Sequence, residues 1–565
     1  MRPLALCLLV LALPVQDKGL RKVEWKLAAD HAAEYVCLDK AGKPISDQKF
    51  LIFASELTAH SNRIRVDAYE EIPIAMLFQL PPEAFKTSLG WEFTGYFFNE
   101  AFDAMGGFEA MVGGGSIRPV AVKGRYIVKT TQKKGEDEIA HIEGAFSLFE
   151  IRRDFVNNQS KIVITKNDVG TLATSAQVSV PRGILLKGGW QLRARGQERE
   201  GGRPVDKKFE THRMIEFKED LELDAAKLQP SVESALSRAA DWLKKQQKNG
   251  GWAPARANPT PGDTIHLTAL VVRALLAAGV KPDDPAIVAA AKTLRSPAPQ
   301  ENAALAQQIL ALSSKTPTKE EADDARKLAD ELHRRRDPRV HGWGPGVGRN
   351  DVPNLTMTSL ALDALAAVPD SKIPEDTFKA GLELFTGGWV DEEGAVDLDL
   401  EFEKDAATLA ADPKKDVQPV IWPALLGRPG GVEFRAARKG SFFTLVAALR
   451  GMLVLSGKMK LDEKQLKAVD WPLRRGLANL QMNWTFRTVP PVEASWCAQR
   501  LEYMGVLAPM LGLARINRIG GSDWRVEGST LLLREQGDDG SWFSGTDQAV
   551  AKTAHALLFL GHARR

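Results

Sequence analysis

The stretch that decides the fold is Gly521–Arg565, GSDWRVEGSTLLLREQGDDGSWFSGTDQAVAKTAHALLFLGHARR. Trp524–Gln536 is apolar on one face and ends at a Gly-Asp-Asp-Gly turn, since glycine supplies the left-handed backbone that stops a helix. Val550–Leu560 is almost continuously apolar, which is typical of a helix buried on most sides. The stretch therefore predicts an amphipathic outer helix, a Gln-x-x-x-Gly-x-Trp loop and a buried inner helix.

This unit recurs along the second half of the chain, and recurrence at intervals of this size indicates a repeat architecture. The copies lie at 231–279, 325–368, 477–507 and 524–562. No copy can bury its apolar inner helix alone, so the units must close on one another. We therefore expect the C-terminal helix to pack beside the helices near residue 231. The loop tryptophans are interpreted as packing residues between repeats; they are Trp252, Trp343, Trp389 and Trp542.

The loops Gln247…Gly251-Trp252 and Gln536…Gly540-Ser-Trp542 resemble the QW repeats of the squalene cyclase and prenyltransferase superfamily. The segment 496–528 resembles the secreted, planctomycete-type bacterial members of that superfamily. The resemblance covers residues 230–565 and implies an α/α toroid, in which inner helices surround a central cavity. It implies a fold rather than an activity, since one fold can host many functions.

Residues 20–225 have a different character from the rest of this 565-residue chain, which is long for one domain. Alternating apolar and polar residues, as in Tyr126–Thr131 and His141–Phe149, predict antiparallel strands. Glycines at 113–115 leave open a division into two similar halves. The expected fold is an antiparallel β domain over 20–225, followed by an α/α toroid of QW-like helix-pair repeats over 230–565.

The N-terminus predicts export. Residues 1–16 combine a basic start with the apolar run Leu4–Leu13, which is typical of a signal peptide and too short to span a bilayer. We therefore expect a secreted or periplasmic protein with no integral membrane segment after cleavage. A net charge of +3 gives no reason to expect nucleic-acid binding. Cys37 and Cys497 would remain, and the sequence leaves their pairing open.

The resemblance also implies catalytic residue sets, and neither is intact here. Cyclases of this fold use an Asp-x-Asp-Asp acid, in which neighbouring carboxylates raise one pKa. The nearest run holds Asp397 and Asp399, but Leu400 stands in the fourth position. The prenyltransferase branch binds zinc through Asp, Cys and His, with the His directly before a Thr. The corresponding position here is Lys552, before Thr553.

A weaker metal set is left by this comparison. Glu493 and Cys497 share one predicted helix face, and His555 lies in the last inner helix. A buried cysteine and a hydrogen-bonded histidine explain the same residues without a metal. We therefore expect no cofactor and no zinc.

Charged residues on the inner helices give the main binding hypothesis. Arg273, Asp363, Arg450 and Glu502 occupy similar places on four predicted inner helices. They would either ring the lumen for a polar ligand or form structural ion pairs between neighbouring helices. We predict an envelope protein whose toroid is a non-catalytic binding or scaffolding module for an envelope ligand, a peptide or a glycan. The alternative is a divergent enzyme of the same fold, either terpene cyclase-like or a polysaccharide lyase or hydrolase.

Overall fold

A computed structural model describes most of the chain outside the N-terminal residues 1–30, with gaps. The described residues are 31–39, 42–53, 63–67, 70–73, 90–97, 120–135, 137–156, 159–200, 203–255, 258–314, 317–346, 352–391, 395–403, 414–422, 442–459, 461–484, 486, 500–542 and 548–564. The proposed signal peptide, Glu493 and Cys497 lie outside them. Within them the protein is an N-terminal antiparallel sheet followed by a helical region.

The N-terminal part is built on one eight-stranded antiparallel sheet with the order β2-β1-β10-β9-β8-β7-β6-β5. Its strands are β1 His31–Leu38, β2 Pro44–Phe53, β5 Gly90–Phe97, β6 Val120–Lys134, β7 Asp137–Val156, β8 Gln159–Ser179, β9 Ile184–Glu200 and β10 Arg203–Glu222. A two-stranded hairpin joins β3 Arg63–Asp67 to β4 Glu70–Pro73. The described strands thus belong to one continuous sheet plus a hairpin, without the division into two similar halves that the glycines left open.

Each of the strands β5 to β9 pairs with the strand that follows it in the chain. Because successive side chains of a strand point to opposite faces, each strand can bury every second residue on one face of the sheet. That face carries a cluster of aromatic side chains. Tyr126 lies 5.3 Å from Trp91 in a stacked pair and 4.8 Å from Phe146 edge-on. Such pairs each add about 0.5–1.5 kcal/mol beyond their buried area. The sheet therefore has a hydrophobic core of its own.

Twelve helices follow in the described residues. They are α1 Ala225–Gln246, α2 Pro261–Ala277, α3 Pro285–Leu294, α4 Asn302–Ser313, α5 Lys319–Arg334, α6 Leu355–Ala367, α7 Glu375–Thr386, α8 Phe442–Lys458, α9 Glu463–Met482, α10 Arg500–Leu513, α11 Trp524–Glu535 and α12 Ala549–Ala563. The even-numbered helices pack in a closed cycle, α2–α4–α6–α8–α10–α12–α2. We call this cycle the inner ring and the space within it the lumen. The odd-numbered helices lie against its outside.

The composition of the helices explains which of them lie inside. Helix α12 buries ten of its residues, including Leu557, Phe559 and Leu560. Outer helix α5 buries only five and exposes a charged face, as an amphipathic surface helix does. Helix α12 packs against both α2 and α1. The expected contact between the C-terminal helix and the helices near residue 231 is therefore present, and it closes the inner ring.

A repeated tryptophan contact joins several outer helices to the inner helices that follow them. The indole of Trp252 donates to the carbonyl of Leu243 (2.7 Å), and its backbone N–H donates to the hydroxyl of Thr268 (3.0 Å). Trp343 repeats both bonds with Leu332 and Thr358 at the same two distances. Trp542 makes the same pair with Leu532 and Thr553, both at 3.0 Å. The indoles thus bond to carbonyls in the last turn of these outer helices.

One tryptophan was assigned to this position wrongly. Trp389 is only half-buried, whereas Trp422 is fully buried and donates from its indole to the carbonyl of Phe385, at the end of α7 (2.9 Å). The hydroxyl of Thr444 donates to the carbonyl of Trp422 (2.8 Å). The chain inserts short strands between the outer helix and its tryptophan, so the nearest Gly-Gly-Trp run is not the packing residue.

Short strands fill this insertion and the segment after α10. They are β11 Val390–Asp391, β12 Val396–Leu398, β13 Leu400–Phe402, β14 Lys414–Val417, β15 Val420–Ile421, β16 Ile516–Ile519 and β17 Ser522–Asp523. Strands β12, β14 and β15 pack on outer helix α9, and β13 pairs with β16. The described parts of 392–419 therefore lie against the outer helices.

The sheet and the helical region meet at strand β1, which is buried on both faces. Ala33 and Tyr35 face the core of the sheet, while Ala32 joins the core of the helical region. Glu34 also points to the helical side, where it accepts from Lys218 on β10 (2.8 Å) and from Arg534 on α11. Residues of β1 therefore alternate between two cores, which fixes the register of this strand.

The boundary between the two parts lies slightly earlier than the sequence predicts. Helix α1 begins at Ala225 rather than at residue 230, because the side chain of Asp224 accepts from the backbone N–H of Ala226 (2.8 Å) and caps the helix. Pro230 lies inside the helix, near its start.

Candidate functional site

A cavity of about 720 Å³ opens at one end of the lumen. Its walls come from the C-terminal turns of four inner helices, α6, α8, α10 and α12. The C-terminal ends of these helices therefore share one end of the inner ring. Apolar wall residues are Leu453, Val454, Pro509 and Leu513, and polar ones are Asp363, Arg450, Lys458 and His562. A volume of this size suits a small organic ligand.

An ion pair lies in the wall of this cavity. Arg450 on α8 donates to one oxygen of Asp363 on α6, from Nε at 3.0 Å and from Nη2 at 2.6 Å. Both side chains are mostly buried, with 19% and 12% of their side-chain surface exposed. Charge-assisted hydrogen bonds of this kind are strong and directional. The pair joins two neighbouring inner helices and fixes the orientation of the Arg450 guanidinium.

Arg273 on α2 lies in the same part of the lumen with a different environment. Its Nη1 donates to the side-chain oxygen of Gln307 on α4, and no salt bridge within the described residues reaches it. Burial, together with repulsion from Arg450, lowers the pKa of Arg273 to about 10, although Asp363 acts in the opposite direction. Its side chain retains partial contact with solvent, as expected of a group that lines a narrow lumen. The lumen thus holds two guanidinium groups around one carboxylate.

Glu502 is not part of this group. It lies near the start of α10, about eleven residues before Leu513, so ~16 Å of helix separates it from the cavity end. Burial raises the pKa of Glu502, and Lys552 on α12 partly opposes that shift. Four charged residues were predicted to occupy similar places on the inner helices. The structure brings Arg273, Asp363 and Arg450 together near the cavity and leaves Glu502 farther along the lumen.

Three histidines also face the lumen. Burial lowers the pKa of His266 and of His562, and it lowers the pKa of His555 to about 3 with help from the charges of His266 and Arg273. The Nδ1 of His555 has no hydrogen-bond partner among the described residues. It lies against the backbone of Gly505, where an added Cβ would come within 2.7 Å of it. These downward shifts favour the neutral form of all three rings.

The candidate acid motif lies away from the lumen. Asp397 and Asp399 are exposed and belong to the short strands beside outer helix α9. The carboxylate of Asp397 accepts from the backbone N–H of Asp416 (3.0 Å), and the backbone N–H of Asp399 donates to Gln481 (2.9 Å). These residues thus hold the strands in place.

The weak metal set falls partly outside the described residues, since Glu493 and Cys497 lie there, whereas His555 lines the lumen. In the part of the chain that the structure describes, no three His, Cys, Asp or Glu side chains are grouped to hold a metal. A second cavity, of about 370 Å³, lies where β10 and α1 meet α11, and its wall includes Glu222, Asp224, Glu401 and Glu527. These carboxylates are dispersed around the wall, and we assign no function to this second cavity.

Sequence reasoning missed the other polar residues of the lumen. His266 and Arg273 lie two helical turns apart on one face of α2, so helical periodicity could have found His266. Gln307 sits among apolar residues of α4 and gives a similar signal. Lys458 and His562 are terminal residues of inner helices, and only the packed structure places them at the cavity mouth.

Comparisons with known proteins give little to add to this geometry. No family model matches the chain, and no curated protein matches it. One matching solved structure is that of an unsaturated glucuronyl hydrolase specific for heparin. It is 12% identical with a TM-score of 0.38, and the match covers 60% of this chain and 96% of the other. No helix among the described residues combines the length and hydropathy needed to cross a bilayer.

Proposed function

We propose that this protein is an exported, non-catalytic binding module, an α/α toroid of the squalene cyclase and prenyltransferase repeat type whose lumen receives a ligand of the cell envelope. The N-terminal sequence pattern supports export, and the Gln, Gly and Trp loops support the repeat type. Intact mass tests the export. The natively produced chain should lack roughly its first sixteen residues, and a soluble cytosolic product that retains Met1 would refute export.

The observation that carries the binding function is the pair of guanidinium groups around one carboxylate at the cavity end of the lumen. Arginine does not exchange its proton near neutral pH, so such groups bind and orient ligands instead of transferring protons. A histidine whose pKa is about 3, as burial makes that of His555, is a poor general base at neutral pH. The lumen is thus better suited to recognition than to acid–base chemistry.

The test is to fill the cavity without disturbing the packing. Gly457 on α8 and Gly512 on α10 line it, and a Cβ added at either one would meet nothing within 4 Å. Gly457→Leu and Gly512→Leu therefore occupy the cavity and also favour the helix, since glycine is a poor helix former. The matched control is Val288→Leu, on the exposed face of outer helix α3.

A library of envelope peptides and glycans is screened against the wild type by thermal shift, and the reaction mixtures are analysed by mass spectrometry. We expect ligands that raise the melting temperature of the wild type and of the control variant but not of the two cavity-filling variants. Ligands that bind all four proteins equally would show that the lumen is not the site. Conversion of a ligand into product, lost in the cavity-filling variants, would identify an enzyme of this fold instead.

A further inference from the structure

The cavity has walls of two kinds, and their arrangement restricts what it can hold. Helices α8 and α10 present apolar side chains, Leu453, Val454, Pro509 and Leu513, while the wall toward α6 carries the Asp363–Arg450 pair. Arg273 acts electrostatically on Arg450, Asp363 and His562, all three of which line the cavity. A ligand that filled the cavity would therefore meet apolar surface along its body and the guanidinium of Arg450 at one end, where the positive charge of Arg273 also acts.

The balance of charge at that end selects the sign and size of the ligand charge. Among the described residues that interact at this end, Arg273 and Arg450 are cations, Asp363 is the anion, and the neighbouring histidines have lowered pKa values, so an excess of one positive charge remains. Lys458 also lies at the mouth, but it is exposed and its charge is screened by solvent. A ligand group with one negative charge balances this excess positive charge. A dianion would exceed it and would be repelled more strongly by Asp363.

The hydrogen-bond donors of Arg273 also favour a ligand group with one negative charge. Among the described residues its hydrogen bond uses one nitrogen, Nη1, toward Gln307, and a guanidinium carries five N–H donors in a planar fork. That fork matches the two oxygens of a carboxylate, which binds it in a bidentate manner. Arg450 already spends Nε and Nη2 on Asp363, so it supports the site mainly through its charge.

We propose that the lumen binds a monocarboxylate with an apolar body, its carboxylate on the guanidinium of Arg273 beside Arg450 and its body along Leu453, Val454, Pro509 and Leu513. This proposal rests on the binding function above and names the ligand class. The carboxylate belongs either to a free organic acid or to the C-terminus of an apolar peptide. Both present the same chemistry to Arg273.

The experiment compares acids with their amides by isothermal titration calorimetry at low ionic strength. The probes are octanoate against octanamide, and N-acetyl-trileucine with a free C-terminus against the C-terminal amide; inorganic phosphate serves as the dianion. We expect at least one acid to bind the wild type tenfold or more tightly than its amide, with phosphate weaker than that acid. The pair that shows the difference identifies the source of the carboxylate.

Arg273→Met keeps the length and apolar stem of the side chain while it removes the charge, and it should bring the acid down to the affinity of its amide. The matched control, Arg295→Met, removes an exposed arginine that pairs with Asp324 on the outer surface and should keep the acid preference. Equal binding of acid and amide by the wild type would overturn the proposal, and this comparison needs no variant.

The two proposals fail in different ways. If acid and amide bind equally and Gly457→Leu blocks both, the lumen is a binding site but the carboxylate assignment is wrong. If the acid preference is present but survives Arg273→Met, the anion binds elsewhere and the assignment is again wrong. If none of the probes binds the wild type, the carboxylate assignment is overturned, and the binding function then depends on the wider screen of peptides and glycans.

Discussion

Arg273 should reduce the stability of the protein when no ligand is bound. The change that tests this is Arg273→Met, which replaces an enclosed cation by an apolar side chain of similar length. In the wild type the guanidinium has one hydrogen-bond partner among the described residues, Gln307, and lies near the second cation, Arg450. Because burying an incompletely compensated charge costs free energy, removal of this charge should stabilise the fold.

The magnitude follows from the pKa of Arg273. Burial and Arg450 lower it from 12.5 to about 10, and each unit corresponds to ~1.4 kcal/mol, so the upper limit is about 3 kcal/mol. Partial contact with water in the lumen reduces this cost, and the variant also loses the bond to Gln307, worth about 1 kcal/mol. We expect a net gain of ~1–2 kcal/mol in the free energy of unfolding.

The direction of the pKa shift of Arg273 determines how its effect on stability changes with pH. The folded state holds the proton of Arg273 less tightly than the unfolded state, so the cost is fully present below about pH 10 and is relieved only as the pH rises toward 12.5. The difference between variant and wild type should therefore be constant from pH 6 to pH 9. We would measure it by urea unfolding, followed through the helical circular dichroism signal.

Arg295→Met is the matched control. It loses exposed ion pairs with Glu320 and Asp324, and such pairs contribute ~0–1 kcal/mol, so its stability should be unchanged or slightly lower. If Arg273→Met instead lowers the free energy of unfolding by more than about 1 kcal/mol, the reasoning is refuted, because Arg273 must then have a stabilising counter-charge. An increase in stability combined with a loss of acid binding would indicate that the charge is kept for recognition.

Three further predictions concern the packing of the helical region and its contact with the sheet. Trp422→Ala should lower the free energy of unfolding, measured by heat or urea, by about 3–5 kcal/mol, because the variant loses a fully buried aromatic side chain. The control is Trp471→Ala, since Trp471 is 49% exposed on α9, and it should change stability by less than ~0.5 kcal/mol. Similar effects of the two changes would contradict the packing role of Trp422. Truncation after Gly540 removes α12 and should abolish the cooperative unfolding of the helical region, so a truncated chain with an unchanged melting temperature would disprove closure of the inner ring. Burial alone would raise the pKa of Glu34, but hydrogen bonds from Lys218 and Arg534 outweigh it and lower that pKa. Its contribution to stability is therefore present above the ordinary value near 4.5 and is lost as the pH falls through the lowered folded value. Glu34→Gln should be less stable than the wild type at pH 7 but close to it at pH 3, and an equal deficit at both values would exclude this explanation.

The sequence by itself determined the local units and their order. The Gly-rich loops and the apolar run Val550–Leu560 predicted outer and inner helices, and the outer–inner pairing is present in the structure. Closure by the C-terminal helix was also predictable, because an apolar helix without a second partner cannot remain at an open end. These features depend on periodicity and capping, which act within a few residues and can be read along the chain.

The tertiary structure decided which charged groups meet. Asp363 and Arg450 are 87 residues apart, and Glu34 and Arg534 are 500 apart. Whether such groups pair depends on the rotation and axial position of each helix within the inner ring. Local sequence patterns carry little information about either quantity. The same dependence explains why Glu502 lies at another height in the lumen. Trp422 rather than Trp389 makes the contact at the end of α7 because short strands are inserted between that helix and its tryptophan. A shared sequence pattern identifies a helix face, but its height in the lumen is set by the packing of neighbouring helices.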